Sequence, residues 1–254
     1  MNSSARRSRY WKRYWAVMDR LGAGARAAKD RYYDRLLALA GPVTWLNAGC
    51  GRHTFPEWRS GDAETVKTAG AREFGFDLDR DALKDRSDAV PTCVAAIESL
   101  PYRPESFDFV ASEMVFEHLH EPQKGVAELV RVTRHGGRLL IHTVNSRHYL
   151  ALMATLTPFR FHQWIVRRIE GREGIDVYPT RYEGNTEARL DALFAQQGCR
   201  KVWGGEVTDL PMCVPYPGLF WLALLWGLLE LQLARLPVIG GFLRPNLLIE
   251  YVRD

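Results

Sequence analysis

Thr44-Trp45-Leu46-Asn47-Ala48-Gly49-Cys50-Gly51, followed further along by Phe74-Gly75-Phe76-Asp77, decides how this chain is read. A short apolar strand runs into a turn with glycine at alternate positions, and a second strand ends on an acid. Glycines let the backbone come close to a ligand, and a carboxylate can grip a ribose, so the two segments point to a nucleoside-containing cofactor. On their own they do not say which.

Outward from this pair, strands and helices alternate, the pattern of a parallel sheet covered on both faces. Strands are expected at 43–46, 73–76, 90–95, 107–112, 138–143, 200–207 and 246–252. Upstream, 8–40 reads as two helical stretches, the second over 26–39 and stopped near Gly41-Pro42. A helix through 128–132 is expected to stop at Gly136-Gly137. Later come a helical stretch over 149–170 broken at Pro158, a loop over 171–185, and a helix from a Thr186 cap to Gln197, closed by Gly198. The organisation expected is a basic helical cap over 1–40 and a main domain over 41–254, with lid segments at 149–185 and 209–240.

With 254 residues, 46% of them apolar and 25% charged, the composition is that of a globule with a full core and excludes disordered and collagen-like classes. A net charge of +4 is too small to argue for nucleic acid. The charge is uneven, however: Arg6, Arg7, Arg9, Lys12, Arg13 and Arg20 crowd the start, with Tyr10, Trp11, Tyr14 and Trp15 among them. Such a segment suits an anionic membrane surface or an acidic substrate; a solvated helical cap is the plainer reading and the preferred one. No apolar core follows Arg6-Arg7, so no secretory signal is read. Cys50, Cys93, Cys199 and Cys213 show neither metal-ligand spacing nor a disulfide framework, which fits a reducing cytoplasm. The uncharged stretch 214–229 is shorter than the roughly 20 residues a membrane span needs and contains Pro215 and Pro217. A buried or substrate-facing lid helix is the preferred reading. An interfacial helix anchored by Trp221 and Trp226 is the alternative, with peripheral contact at the inner membrane face through 1–20 or 214–236.

Four further elements follow the opening pair in order: Leu100-Pro101-Tyr102; Phe107-Asp108; Glu113-Met114-Val115-Phe116-Glu117-His118; and Arg134-His135-Gly136-Gly137. Each is weak alone, but the ordered set resembles the class I S-adenosylmethionine-dependent methyltransferases, in particular the bacterial group of small-molecule methylating enzymes. The resemblance covers 41–145 and extends loosely to 179–198 and the last strand. It implies an α/β, Rossmann-like, seven-stranded, mostly parallel sheet with helices on both faces, the last strand antiparallel, and S-adenosyl-L-methionine at the carboxyl ends of the first strands.

Carried over by position, Gly49 and Gly51, with Asn47, Ala48 and Cys50, match the turn against the methionine portion of the cofactor. Asp77 matches the acid that holds the ribose hydroxyls, a job for which two acceptor oxygens suit it. Ile97 matches the residue whose backbone N–H faces adenine, and Leu78 and Glu113 complete the set. Three positions depart from the family: Asn47 stands for an acid, His53 for a third glycine, and Ala96 for the acid that meets the adenine amino group. His118, with Glu117, is the first candidate base, since a neutral imidazole accepts a proton near pH 7; a packing or capping role is the even alternative. His148 and Tyr149, together with Tyr178, Arg181 and Tyr182 in the lid, are candidate substrate contacts, and an arginine there suits a carboxylate or phosphate. The spacing of His120, His142 and His148 matches no ligand template, so no metal is expected.

The function expected is methyl transfer to a small molecule, with a hydroxyl as the leading acceptor, on a glycan or lipid-linked intermediate. A non-catalytic or membrane-associated protein that keeps the fold is the second reading. A nicotinamide-type oxidoreductase is disfavoured, because Gly49-Cys50-Gly51-Arg52-His53-Thr54 lacks the third glycine that helix packing needs.

Overall fold

The computed structural model describes residues 16–17, 20, 28–86, 88–156, 180–209 and 220–254. Its helices are α1 (Ala28–Leu39), α2 (Ser60–Thr68), α3 (Arg80–Lys84), α4 (Pro122–Val132), α5 (Tyr149–Leu156), α6 (Glu187–Gln196), α7 (Phe220–Leu233) and α8 (Gly240–Leu243). The strands are β1 (Thr44–Ala48), β2 (Arg72–Asp77), β3 (Thr92–Val94), β4 (Phe107–Glu113), β5 (Thr133–Val144), β6 (Cys199–Val207) and β7 (Asn246–Arg253). The chain falls into two compact units. One comprises Lys29–Asn145, Thr180–Glu206 and Asn246–Asp254; the other comprises Met1–Ala28, Ser146–Pro179 and Val207–Pro245.

The first unit holds the sheet, in the order β3-β2-β1-β4-β5-β7-β6. β1 pairs in parallel with both β2 and β4, and β7 runs antiparallel to β5. The chain moves outward from β1 to β3 and then crosses to β4, so the switch point lies between β1 and β4, where such sheets bind ligands beyond their carboxyl ends. Alternation sorts the side chains. Leu46, Val110, Leu139, Ile141, Ile249 and Tyr251 join Val126, Leu129, Leu190 and Phe194 in one buried cluster. Trp45 and Phe109 stack at 5.8 Å. From α1, Tyr32 stacks on His142 at 5.5 Å, and Arg35 pairs with Glu250, a fully buried carboxylate that Arg138 also meets.

The third strand is shorter than the sequence suggests, because Pro91 has no N–H to give and only its carbonyl joins the ladder, accepting from Gly75. The expected stop at Gly136-Gly137 is wrong. α4 ends at Val132, and both glycines lie inside β5. They form a bulge there: Phe107 pairs with Thr133 but Phe109 with Arg138, so three extra residues are taken up on β5. Gly136 has a φ of 72°, and a Cβ on Gly137 would stand 2.7 Å from the Arg134 carbonyl oxygen. Thr186 caps α6 as expected, accepting from the Arg189 amide at 3.2 Å, and Gly198 closes it with a φ of 74°.

In the second unit the described elements are α5, α7 and α8. Ala151, Leu224, Leu231 and Ala234 are buried, and His148 Nε2 lies 3.7 Å from Glu230. Of the lid expected over 149–185, residues 157–179 lie outside the described residues, as do 210–219 of the lid expected over 209–240 and residues 1–15, 18–19 and 21–27 of the expected basic cap.

Candidate functional site

β1 delivers the chain into the glycine turn with Gly49 and Gly51 at φ of 73° and 50°. Both values suit glycine, but for different reasons. A Cβ on Gly49 would meet Val115 Cγ2 at 2.3 Å, whereas one on Gly51 would meet nothing within 4 Å. The turn therefore packs against the segment after β4 on one side and opens to free space on the other. Its amides are engaged within the protein: Gly49 and Cys50 donate to the Phe76 carbonyl at 2.9 and 3.0 Å, and Gly51 donates to Asp77 Oδ2 at 2.8 Å. The open face that the turn presents is therefore the Cα side of Gly51. The Cys50 side chain points inward against Gly75, and burial pushes its thiol up to about 12, so this sulfur is inert.

Asp77, half-buried at the end of β2, accepts one bond on each oxygen, from Gly51 N and from Asp79 N, both at 2.8 Å. Each carboxylate oxygen keeps a lone pair, enough for one hydroxyl each. Beside it, Leu78 is 73% exposed and offers an apolar surface next to the carboxylate. The side chain of Ile97 is buried in the core, so only its backbone can serve a ligand. Ala96 is half-buried just beyond β3.

A polar network beneath the turn was not legible in the sequence. Asn47 Nδ2 donates to Thr54 Oγ1 at 3.2 Å and to Glu73 Oε1 at 3.1 Å, and the Thr54 hydroxyl also donates to Glu73. Arg86, with a side chain only 3% exposed, donates to the carbonyls of Cys50 and Gly51 at 2.7 and 3.1 Å, to Thr54 Oγ1 and to Asp88. Burial holds the Glu73 carboxyl above its ordinary value, opposed by these bonds. The exposed His53 costs nothing, because α2 starts only at Ser60 and no helix has to pack at that point.

At the carboxyl ends of β4 and β5, Glu113 sits opposite His142 in register. Tyr33 donates to Glu113 Oε2 at 2.6 Å, Lys29 Nζ lies 3.1 Å from Oε1, and His142 Nδ1 lies 3.7 Å from it. Burial would raise the Glu113 carboxyl, but His142, Lys29 and Tyr33 together hold it below the ordinary glutamate value. Glu113 is therefore an anion tied to α1.

A methyltransferase domain model matches residues 46–141. Methyltransferase GfsG of Streptomyces halstedii is 30% identical over 186 residues, 71% of this chain and 65% of that protein. The malonyl-[acyl-carrier protein] O-methyltransferase of Methylococcus capsulatus is 30% identical over 120 residues, 44% of this chain and 40% of its own length. The chain thus spans less than two thirds of these relatives. An S-adenosylmethionine-dependent methyltransferase from Mesorhizobium loti shares the fold with a TM-score of 0.53 at 15% identity, covering 86% of this chain and 96% of that one. Residues 46–141 form a class I S-adenosylmethionine-dependent methyltransferase domain.

Around this domain, the remaining expected residues divide by location. Glu117 and His118 lie on the 3-10 turn Phe116–His118 directly after β4. Glu117 is buried, accepts from the Thr143 hydroxyl at 2.7 Å, and is pushed up in pKa by burial. Its backbone carbonyl receives the amides of Arg181 and Tyr182 at 2.8 and 3.3 Å. Glu117 thus joins the turn to β5 and to the 180–182 segment and does not face solvent. His118 is half-buried on the same turn. Arg181 is exposed and Tyr182 half-buried at a φ of 58°, both brought to the Glu117 turn. His148 and Tyr149, with rings 4.4 Å apart, belong to the other unit, and Tyr178 lies outside the described residues. Among the described residues no cluster of His, Cys, Asp or Glu could hold a metal. The sequence reading missed Tyr33, Lys29, Thr54, Glu73 and Arg86. Only the Tyr32-Tyr33 pair within a basic helix hinted at any of them.

Proposed function

We propose that this chain binds S-adenosyl-L-methionine across the carboxyl ends of β1, β2 and β4 and methylates a hydroxyl group of a small molecule, on a glycan or lipid-linked intermediate. The observation that carries the cofactor reading is Asp77: its two spare acceptor sites lie at the carboxyl end of β2, next to the turn after β1, beside the open side of Gly51 and the exposed Leu78. When bound, the cofactor supplies an electrophilic methyl group. The residues of this chain hold and orient: the glycine turn fixes the methionine side, Asp77 the ribose, and Leu78 the base. His118 takes the hydroxyl proton as a neutral imidazole, and Glu117 holds the turn that carries it. Arg181 at the same turn suits an acceptor with a carboxylate or phosphate.

Thermal stabilisation by S-adenosylhomocysteine but not by NAD is the expected result. Asp77→Ala should weaken S-adenosylhomocysteine binding about tenfold or more, the loss of hydrogen bonds to a charged group. Stabilisation by NAD alone, or unchanged affinity in a folded Asp77→Ala protein, overturns the assignment. Mass spectrometry of an extract incubated with protein and cofactor identifies the methylated compound, and a methyl on carbon or nitrogen replaces the hydroxyl reading.

A further inference from the structure

The second unit contains a helix whose polarity is inverted. Along α7, Trp221, Leu222, Leu225, Trp226 and Leu229 are exposed at 67, 64, 64, 49 and 46%. Their spacing puts them on one continuous stripe. The single ionisable side chain of the helix, Glu230, is buried beside His148. The apolar surface continues past the helix through Leu236, Val238, Ile239 and Phe242, also exposed. Scattered exposed apolar residues are ordinary; a contiguous run of nine large ones marks an interaction surface.

Charge and length indicate what covers it. Among the described residues of this unit the cations are Arg20, Arg147, Arg235 and Arg244, and the acids are Asp209 and the buried Glu230. Asp209 accepts from the Ala28 amide. Two of these cations border the apolar surface: Arg235 lies two residues past the end of α7, and the Arg147 guanidinium lies 5.6 Å from the Phe242 ring. No described helix is long and apolar enough to cross a membrane, and the 14 residues of α7 reach only about 21 Å. An apolar face with two tryptophans and arginines at its margin fits the plane of a membrane interface, where indole rings settle at headgroup depth and arginines meet anionic lipid.

We infer that α7 and the turn after it form an in-plane anchor that docks this unit on an anionic bilayer surface. The docking is a property of this face and does not rest on the methyltransferase reading. The test is sedimentation of the whole chain with vesicles of equal parts phosphatidylglycerol and phosphatidylcholine, and with phosphatidylcholine alone. Binding is expected to the mixed vesicles, weaker to the neutral ones, and reduced by salt. The variant Trp221→Ser, Leu225→Ser, Trp226→Ser changes only exposed side chains and should lower the partition coefficient by more than about 100-fold, since burying each such side chain is worth a factor of ten or more. Quenching by brominated lipid should fall when Trp221 and Trp226 are replaced by phenylalanine. Failure of the wild-type chain to bind mixed vesicles overturns the proposal. So does a wild-type dimer in light scattering that the serine variant makes monomeric, which assigns the face to a second copy. S-adenosylhomocysteine titration of the same variant, expected unchanged, shows that it is folded and separates this outcome from failure of the cofactor reading.

Discussion

Replacing Arg86 with methionine removes the guanidinium that holds the glycine turn from below. It donates to the carbonyls of Cys50 and Gly51 and to Thr54 Oγ1, at 2.7, 3.1 and 2.9 Å, and pairs with Asp88 at 2.6 Å. Each hydrogen bond to a charged group contributes about 1.5–3 kcal/mol, so the three bonds to the turn set a ceiling. Water entering beside Asp88, whose side chain is 34% exposed, recovers part of that. The remainder, about 3–5 kcal/mol, matches what removing one partner of a buried ion pair costs. For a chain of this size that is a fall in Tm of roughly 6–20 °C. A loosened turn should also bind S-adenosylhomocysteine at least about tenfold more weakly. Scanning calorimetry reads the first effect and titration calorimetry the second. Arg86→Lys should recover only part of either, because a point charge cannot serve two carbonyls and a hydroxyl as the planar fork does. An Arg86→Met protein that melts within about 2 °C of wild type and binds S-adenosylhomocysteine normally refutes the reasoning.

Gly75→Ala would set a methyl 2.7 Å from Cys50 Sγ and 3.2 Å from Thr92 Cγ2; a loss of about 1–3 kcal/mol is expected in urea denaturation, eased by adding Cys50→Ala, which removes the nearer atom. Glu250→Ala leaves Arg35 and Arg138 without their buried acceptor; because both arginines reach solvent in part, the cost should fall near the low end for a broken buried pair, about 3 kcal/mol by the same assay. Glu113 is held below its unfolded pKa of about 4.3, so its pairing with Lys29, Tyr33 and His142 stabilises the fold above that pH and is lost as pH falls through the folded value. The stability difference between wild type and Glu113→Gln should therefore shrink progressively in denaturation curves taken below about pH 4.3; a pH-independent difference contradicts the pairing.

The motifs that disclosed the fold are mostly residues that hold it. Asp108 of Phe107-Asp108 accepts from the Thr44 amide at 2.8 Å and pairs with Arg134, fixing the start of β4 against β1. In Leu100-Pro101-Tyr102, the Leu100 amide goes to Glu128, its carbonyl and that of Tyr102 go to Arg131, and the Tyr102 hydroxyl reaches the Gly75 carbonyl at 3.2 Å. Gly136-Gly137 makes a bulge. Such contacts are local or fixed by strand order, so their residues keep a recognisable spacing in one dimension. Glu113 and Tyr33 are eighty positions apart and meet only because α1 packs on the carboxyl edge of the sheet. The same holds for Arg86, whose guanidinium returns to a turn it left thirty-five residues earlier. No period or spacing encodes such a return.

Asn47 shows why a single position can mislead when its neighbours are out of view. Read alone, it is the loss of a family acid's charge, with a hydrogen-bonding side chain left in its place. In the sheet, Asn47 pairs with Gly75, and Glu73, two residues earlier on β2, lies on the same face as a diagonal neighbour. Gly75 has no side chain to block it, so the Glu73 carboxylate reaches under the turn and accepts from Asn47 Nδ2. The negative charge is thus present but supplied by the adjacent strand. An aspartate at 47 could donate neither to Glu73 nor to Thr54, and would place two carboxylates against each other in a buried setting that already raises the Glu73 carboxyl. The asparagine is the residue this arrangement requires: it is the donor that lets an acid arriving from β2 take over the place of one on β1. Arg86 then balances that acid while holding the carbonyls above it, so one buried cation serves both the charge and the shape of the glycine turn.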